Sequence, residues 1–303
     1  MQDKPRITLK SWIMIAALGL IWGSAFTVIR LGLEGISPMW LAAARISIGA
    51  ALTTALWGVM GWKFHLGHER SWAMLFVVGI LSTAVPFQLI TWAQQHVTSG
   101  YTGVSMAAVA LIVLPLAHFL VLSERLTLRR VAGFVIGFTG VVMLIGQTAT
   151  FSSNAELEWA GRIACFLAAG CYALSSVLMR RLPPIDPIGL AAVSLIIGAF
   201  FVVPMAIAIE GPAPRIDSKT LLYLAYLGIF PTALGNLLRV LVIRSAGPVF
   251  LTLTNYQVPM WSVIMGIWFL GEKFNPQLIL SMAVILCGVA VSQYSDLRRV
   301  FRF

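Results

Sequence analysis

The chain is written twice, with five apolar helices in each copy, and few architectures accept such a sequence. A shift of 149 carries Ser37-Pro38 onto Asp186-Pro187, Leu41-Ala42-Ala43 onto Leu190-Ala191-Ala192, and Gly49-Ala50 onto Gly198-Ala199. The same shift carries Ser71 onto Thr220 and Gly79-Ile80 onto Gly228-Ile229. Towards the end of each half the shift becomes 148, and Glu124 meets Glu272, Thr127 meets Asn275 and Gly140 meets Gly288. Ser37, Asp186, Ser71, Thr220, Thr127 and Asn275 are all good N-cap types, so these matches read as helix starts. Pro follows Ser37, Asp186 and Asn275, at the first helical position, where its missing N–H costs nothing. A unit with an odd number of spans must cross the membrane in the opposite sense the second time. Inverted repeats of this kind build many secondary transporters, with the binding site between the halves.

Composition fixes the solvent. Hydrophobic residues make up 59% of the chain and charged residues 11%, and the mean hydropathy is +0.90; a water-soluble domain carries roughly 25% charged residues. Long apolar runs with few charges belong in lipid, where helices or closed barrels satisfy the backbone. The runs have helix length and lack the polar/apolar alternation of a barrel. Ten spans are expected: 11–31, 38–60, 71–91, 98–122, 128–147, 159–180, 187–209, 220–240, 248–270 and 276–294. The expected fold class is an all-α membrane protein of ten transmembrane helices in two inverted five-helix repeats, residues 1–150 and 151–303.

The net charge of +10 would suggest nucleic acid or an anionic surface in a soluble protein, but here its distribution speaks to topology. With the N-terminus inside, fifteen Lys and Arg fall on the cytoplasmic side, five (30, 162, 215, 219 and 273) on the outer side, and Arg45 within a helix. The positive-inside rule then places both termini in the cytoplasm. Lys4, Arg6 and Lys10 before an apolar run imitate a signal peptide, but that run is too long for an h-region and no clear small-x-small site follows it. The first span is therefore expected to be retained. Cys165, Cys171 and Cys287 lie in apolar spans and offer neither a disulfide framework nor a metal site. With no Asn-x-Ser/Thr sequon, short loops and no added soluble domain, a bacterial inner membrane is the expected location.

Absent motifs narrow the chemistry. No Gly-Lys pair exists, so no Walker A loop can cradle nucleotide phosphates. The stretch His65-Leu66-Gly67-His68-Glu69 lacks the spacing of a zinc helix and reads as a solvated turn. No constellation for an intramembrane protease is present, so no enzymatic activity, metal or cofactor is expected. All eleven Asp and Glu residues fall in loops or at span ends. A proton-driven pump for lipophilic cations uses a buried carboxylate, so a neutral or zwitterionic metabolite is the better substrate expectation.

Ile21-Trp22-Gly23-Ser24-Ala25-Phe26, followed by Pro38 and Arg45, resembles the opening of the drug/metabolite transporter superfamily, and within it the EamA family. Ser123-Glu124-Arg125-Leu126-Thr127, continuing to Gly133 and Gly140-Val141, resembles the end-of-repeat signature of that family, which Gly271-Glu272-Lys273 and Gly288-Val289 repeat. The second half departs at Cys171-Tyr172-Ala173, where the first has Trp-Gly-Ser, and at Ser194 in place of Arg45. The resemblance implies ten spans, alternating access and metabolite export, with spans 3, 4, 8 and 9 around a central cavity. Within the family the chain is similar to amino acid exporters, including the YddG type that expels aromatic amino acids. The sugar-phosphate and nucleotide-sugar branches, which need buried Lys or Arg, are less similar.

Those four spans carry the informative side chains. Gln88, Trp92 and Gln95 share one face of the third span, and Thr232, Asn236 and Arg239 one face of the eighth. Tyr101 and His118 lie on the fourth, His118 as a titratable group or a packing histidine. Asn255-Tyr256-Gln257 precede Pro259 and Trp261 on the ninth, which suggests a backbone that opens beside a cavity. The candidate substrate-binding set is Trp22, Gln88, Trp92, Tyr101, His118, Asn236, Asn255, Tyr256 and Trp261, with aromatic stacking available to a ring-shaped ligand. For each, interhelical packing is the competing role. Arg45 is read as gating or structural, snorkelling outward or pairing with an outer acid such as Glu34, in preference to the alternative that it binds a substrate carboxylate, and Pro86, Pro115, Pro231 and Pro259 as helix bends. The expected partners are a small-molecule substrate and the lipid bilayer, not nucleic acid; oligomeric state is open. The function expected is secondary export of small neutral or zwitterionic metabolites, amino acids included. The alternatives are multidrug or other metabolite export, or a channel.

Overall fold

The computed structural model describes residues 7–62, 64, 69–120, 127–146, 155–183, 185–246, 248–294 and 297–298. Lys4, Arg6, the His65–His68 turn and Ser123–Leu126 of the first end-of-repeat signature lie outside the described residues. The described chain forms ten membrane helices. The first five are α1 (Leu9–Gly32), α2 (Pro38–Val59), α3 (Glu69–Gly79 and Val85–Ala93, joined by the π-helical turn Ile80–Ala84), α4 (Ser99–Met106 and Ala108–Leu120) and α5 (Leu128–Ile145). The second five are α6 (Ala155–Met179), α7 (Pro187–Glu210), α8 (Ser218–Leu227 and Gly235–Ala246, joined by the π-helical turn Gly228–Leu234), α9 (Pro248–Leu251 and Thr254–Leu270) and α10 (Pro276–Ser292). Eight of these are long and apolar enough to cross a membrane by themselves, and α10 is a shorter apolar helix.

Most of the expected helix starts are built as the repeat implied. Asp186 accepts from the N–H groups of Ile188 and Gly189, Thr127 from Arg130 and Asn275 from Gln277 and Leu278. Two differ. Ser71 lies inside α3, which begins at Glu69, and Thr220 is the third residue of α8, whose cap is Asp217. An acidic cap reaching the orphan N–H two or three positions on serves better than a threonine within the turn. Hydrogen bonds from the Thr220 hydroxyl and then from its N–H hold the Asp217 carboxyl below its ordinary range. Ser37 makes no capping bond; its hydroxyl turns to the Glu210 carboxylate at the end of α7.

The packing obeys the repeat. Helix α1 lies on α9 as α4 lies on α6, α1 touches α8 as α6 touches α3, and α2 meets α8 as α7 meets α3. Three pairs are their own counterparts: α2 with α7, α4 with α9 and α5 with α10. Exchanging the halves maps this set of contacts onto itself, the signature of an inverted repeat about a two-fold axis in the membrane plane.

The α5–α10 pair shows what holds the halves together in lipid, where apolar burial supplies no drive and close backbone approach must serve instead. A Cβ on Gly140 would meet the backbone N of Ile285 at 2.7 Å, and one on Gly288 would meet the carbonyl of Gly133 at 2.6 Å. Gly140 and Gly288 are the repeat partners already legible in the sequence, each seating the other's helix. At one end of the bundle the Glu272 carboxylate bridges two helices: it follows α9 and accepts from the N–H groups of Ser99 at 2.6 Å and Gly100 at 3.1 Å. It thus satisfies orphan donors at the start of α4 and places a negative charge at the positive helix end.

Gly288→Leu should force α5 and α10 apart and lower stability by at least about 1–3 kcal/mol. The check is the thermal melting of purified protein in detergent. A variant that melts like the parent would show that the close approach of these helices does not hold the halves.

Candidate functional site

Each repeat interrupts its third helix with a π turn at the same place, Ile80–Ala84 in α3 and Gly228–Leu234 in α8. Such turns are rare, and they free backbone groups that lipid cannot solvate. In α8 the cause is Pro231, which has no N–H to give to the carbonyl of Leu227. The Thr232 hydroxyl donates to that carbonyl instead, at 2.7 Å. The Pro231 carbonyl receives the Trp22 indole N–H from α1 at 3.1 Å, and the Thr232 carbonyl receives the Asn236 amide at 2.6 Å. Trp22 and Asn236, both candidates for substrate contact, thus converge on one irregular turn and repair it.

Thr83 occupies the position in α3 that Thr232 holds in α8. Its hydroxyl donates to the Gly79 carbonyl at 2.7 Å and approaches the Ser194 carbonyl on α7 at 3.3 Å. Thr83 sits against Gly198 of α7, and Thr232 sits against Gly49 of α2, the repeat partner of Gly198. The halves therefore meet along two equivalent seams, each with a threonine from a π turn seated on a glycine of the other half.

Among the differences between the seams, one concerns charge. Beside Thr83 stands Ser194, and beside Thr232 stands Arg45. The Arg45 Nε donates to the Thr232 hydroxyl at 3.0 Å, and its guanidinium carbon lies 4.0 Å from the centre of the Phe87 ring on α3. Arg45 is 7% exposed, and among the described residues no carboxylate stands within ion-pair distance of it. The expectation that it snorkels outward or pairs with Glu34 is not met; Glu34 faces Lys219 instead, at 3.9 Å. Thr232 accepts the Nε bond in mid-bundle, and the ring of Phe87 shares the cation, so the side chain stays inside. Tyr172 of α6, at the position where the first half has Gly23, packs against the same apolar cluster as Phe87 and Ile46.

A second group of candidates gathers around the α3–α4–α9 core. Tyr101 is buried there with Val104 and Val263, and Tyr256 and Leu89 pack on this cluster. The Tyr101 and Tyr256 hydroxyls and the Gln88 amide nitrogen are buried with no hydrogen-bond partner. Arg162 lies 5.5 Å from the centre of the Tyr101 ring; it pairs with Glu158 at 2.6 Å and donates to the Ile145 carbonyl at 2.7 Å, tying α6 to the end of α5. Pro86 and Pro259 are buried; Pro86 follows the π turn of α3, and Pro115 lies within α4.

Other candidates stand apart. His118 is exposed near the end of α4, edge-on to Phe119, and not deep in the helix as its place in an apolar run implied. Trp92 is 36% exposed and lies edge-on to His96, where partial burial and then the nearby Arg30 hold the imidazole below its usual pKa. Trp261 is half-buried with its Cβ against Gly23, and Asn255 is half-buried at the start of the long segment of α9. That helix runs unbroken through Pro259. Its interruption comes earlier, at Thr252–Leu253, so the polar residues open the long segment and do not precede a break. The seam threonine Thr83 and Tyr172 escaped sequence reasoning, although Thr83 is legible as the shift-149 partner of Thr232.

Ten helices in inverted halves, paired π turns and a polar seam at mid-membrane describe a carrier architecture, and comparison with known proteins agrees. The sequence profile of the EamA-like transporter family matches residues 9–146 and again residues 159–294. The chain belongs to the EamA-like transporter family. It is an integral membrane transporter and not an enzyme. Within this EamA-like setting it is 28% identical over 277 residues to the uncharacterized inner membrane transporter YedA of Escherichia coli K12, covering 91% of this chain and 88% of that one. It is 22% identical over 290 residues to a probable terminal-alkyne amino-acid exporter of Streptantibioticus cattleyicolor, covering 95% and 94%. A solved crystal structure superposes with a TM-score of 0.68 at 20% identity, covering 97% of this chain and 99% of that one, which supports the fold.

Trp22→Phe should remove the indole bond to the Pro231 carbonyl and cost about 0.5–1.5 kcal/mol, and Asn236→Ala should act on the same turn. Because both changes loosen one element, the double variant should fall short of or exceed the sum of the two. Additive losses in melting measurements would show that the two side chains do not share the turn.

Proposed function

We propose that this EamA-like transporter is a secondary carrier that exports small zwitterionic metabolites, amino acids with aromatic side chains among them, by alternating access. The observation that carries the reading is the pair of π-turn seams. Each is an irregular, hydrogen-bonded joint between the halves at mid-membrane, and their equivalence lets the two halves exchange roles. Alternating access in such folds is a rocking of one half against the other around a fixed site. The buried, unpartnered groups of Gln88, Tyr101 and Tyr256 supply polar contacts, and the aromatic rings around them can stack on a ring-shaped ligand. The likeness to a probable amino-acid exporter supports the same substrate class.

The carrier sits in a bacterial inner membrane with both termini in the cytoplasm, as the asymmetry of Lys and Arg supports. Coupling to protons is not part of the proposal. Among the described residues the buried Glu158 is committed to Arg162 at the outer end of α6, and Glu272 caps α4. Neither stands at mid-membrane, where a carboxylate would bind proton and substrate in turn. Transport runs down the substrate gradient.

Labelled phenylalanine should enter proteoliposomes preloaded with unlabelled phenylalanine, saturably and with little response to an imposed pH gradient. Tyr256→Ala should slow this exchange several-fold without loss of folded protein. Non-saturating flux with a measurable conductance would indicate a channel. Strict dependence on a proton gradient would overturn the uncoupled mechanism.

A further inference from the structure

We infer that Arg45 is the specificity-determining group of this carrier: its guanidinium binds the carboxylate of the transported molecule at the Thr232 seam. The inference rests on the carrier reading above and names the chemical feature that a substrate must bear.

The molecule contains its own control. The two seams are built alike, with Thr83 on Gly198 in one and Thr232 on Gly49 in the other, yet one carries Ser194 where the other carries Arg45. The Thr83 joint closes on the Ser194 backbone carbonyl while the Ser194 hydroxyl stays unpartnered, so that joint needs no charged side chain. The arginine at the second joint adds a charge that packing does not require. Such a charge in the bilayer interior is costly, and it normally marks a ligand pathway or a paired structural ion.

Pairing does not account for it. No carboxylate among the described residues reaches Arg45; its neighbours are the Thr232 hydroxyl, the Phe87 ring and the uncharged Tyr172, which is close enough to interact electrostatically. Arginine has five N–H donors in a planar fork, and the Thr232 bond uses Nε. That leaves the guanidinium end, whose geometry matches a carboxylate in two parallel bonds. The neighbourhood contrasts with Arg162, which is buried just as fully but holds Glu158 at 2.6 Å. For Arg162, which ties α6 to α5, the chain supplies the counter-ion. At Arg45 the counter-ion arrives with the substrate.

Position favours the same role. Arg45 lies on α2 and contacts α8 of the other half through Thr232, a residue of the π turn, while Phe87 follows the equivalent turn in α3. An anion bound there touches both irregular joints and can bias their arrangement. The apolar surroundings, with Ile46, Phe87 and Tyr172 in one cluster, strengthen a charge-assisted bond and reject an unneutralised cation.

The test uses the full chain in phosphatidylcholine vesicles, which offer no anionic lipid headgroup, with labelled phenylalanine counterflow as readout. Competitors are phenylalanine, 3-phenylpropionate, phenylalaninamide and phenethylamine. The two carboxylates should compete, and the two compounds without a carboxylate should not. Arg45→Gln should weaken competition by phenylalanine about 10- to 100-fold, with Arg45→Lys in between. Arg45→Ser copies the residue of the other seam, so it should fold with nearly parental melting and still lose the preference for carboxylates. Equal competition by phenylalaninamide and phenylalanine would overturn the Arg45 inference and leave the carrier intact, as would unchanged selectivity in folded Arg45→Ser. No saturable exchange of phenylalanine by folded parent protein would strike the carrier reading for this substrate class and take the inference with it.

Discussion

Hydrocarbon offers no hydrogen bonds, so every backbone group that leaves a helical ladder must be satisfied from within the protein. This chain leaves the ladder at equivalent places in its two halves, and the repairs decide how the halves meet. In α8 Pro231 frees the Leu227 carbonyl, Thr232 takes it up, and Trp22 and Asn236 donate to the carbonyls of Pro231 and Thr232. One of those donors comes from the other half. In α3 the Thr83 hydroxyl serves its own helix and reaches the backbone of α7. The irregular turns are thus finished by inter-repeat contacts, which couples local backbone geometry to the arrangement of the halves.

That coupling separates rigid from adjustable parts of the bundle. The α5–α10 pair is locked by backbone approach at Gly140 and Gly288, with no room for a methyl group on either side. The Glu272 carboxylate fixes the start of α4 to the end of α9 with two charge-assisted bonds. The π-turn seams rest on side-chain bonds of Thr83, Thr232, Arg45 and Trp22 and on threonine side chains seated against glycine, contacts that can be exchanged at modest cost. Motion concentrated at the seams, with the α5–α10 pair as a common base, follows from this difference in stiffness.

Much of the fold was legible because membrane helices obey few rules. The apolar runs gave ten helices with ends close to those observed, apart from α8, which continues to Ala246. The repeat, with its shift of 149 and then 148, anticipated the equivalence of Gly140 and Gly288 and the caps at Asp186, Thr127 and Asn275. The site was harder to read. Trp22 and Asn236 stood out as polar or amphipathic groups in apolar runs, but the same signal marks a residue that binds a ligand and one that repairs a turn. Pro231 announced a distortion without revealing that it would be a π turn finished by Thr232. Arg45 was misplaced because depth along one helix says nothing of the partner across the seam, and that partner comes from 187 positions further along the chain. His118 shows the opposite error: an apolar run sets depth and leaves the facing direction open.

The central claim is that the halves exchange roles about the paired seams. It is tested most directly by measuring two distances at once in a transporting sample. Spin labels at Gln95 and Leu221 report the end where α3 finishes and α8 starts, and labels at Trp72 and Ser245 report the opposite end, all in a background without Cys165, Cys171 and Cys287. In proteoliposomes that exchange phenylalanine, each pair should show two distances, the populations changing in opposite directions when substrate is added, so that one end narrows as the other widens. A single unchanging distance at both ends, in protein that still exchanges substrate, would contradict an alternation of the halves.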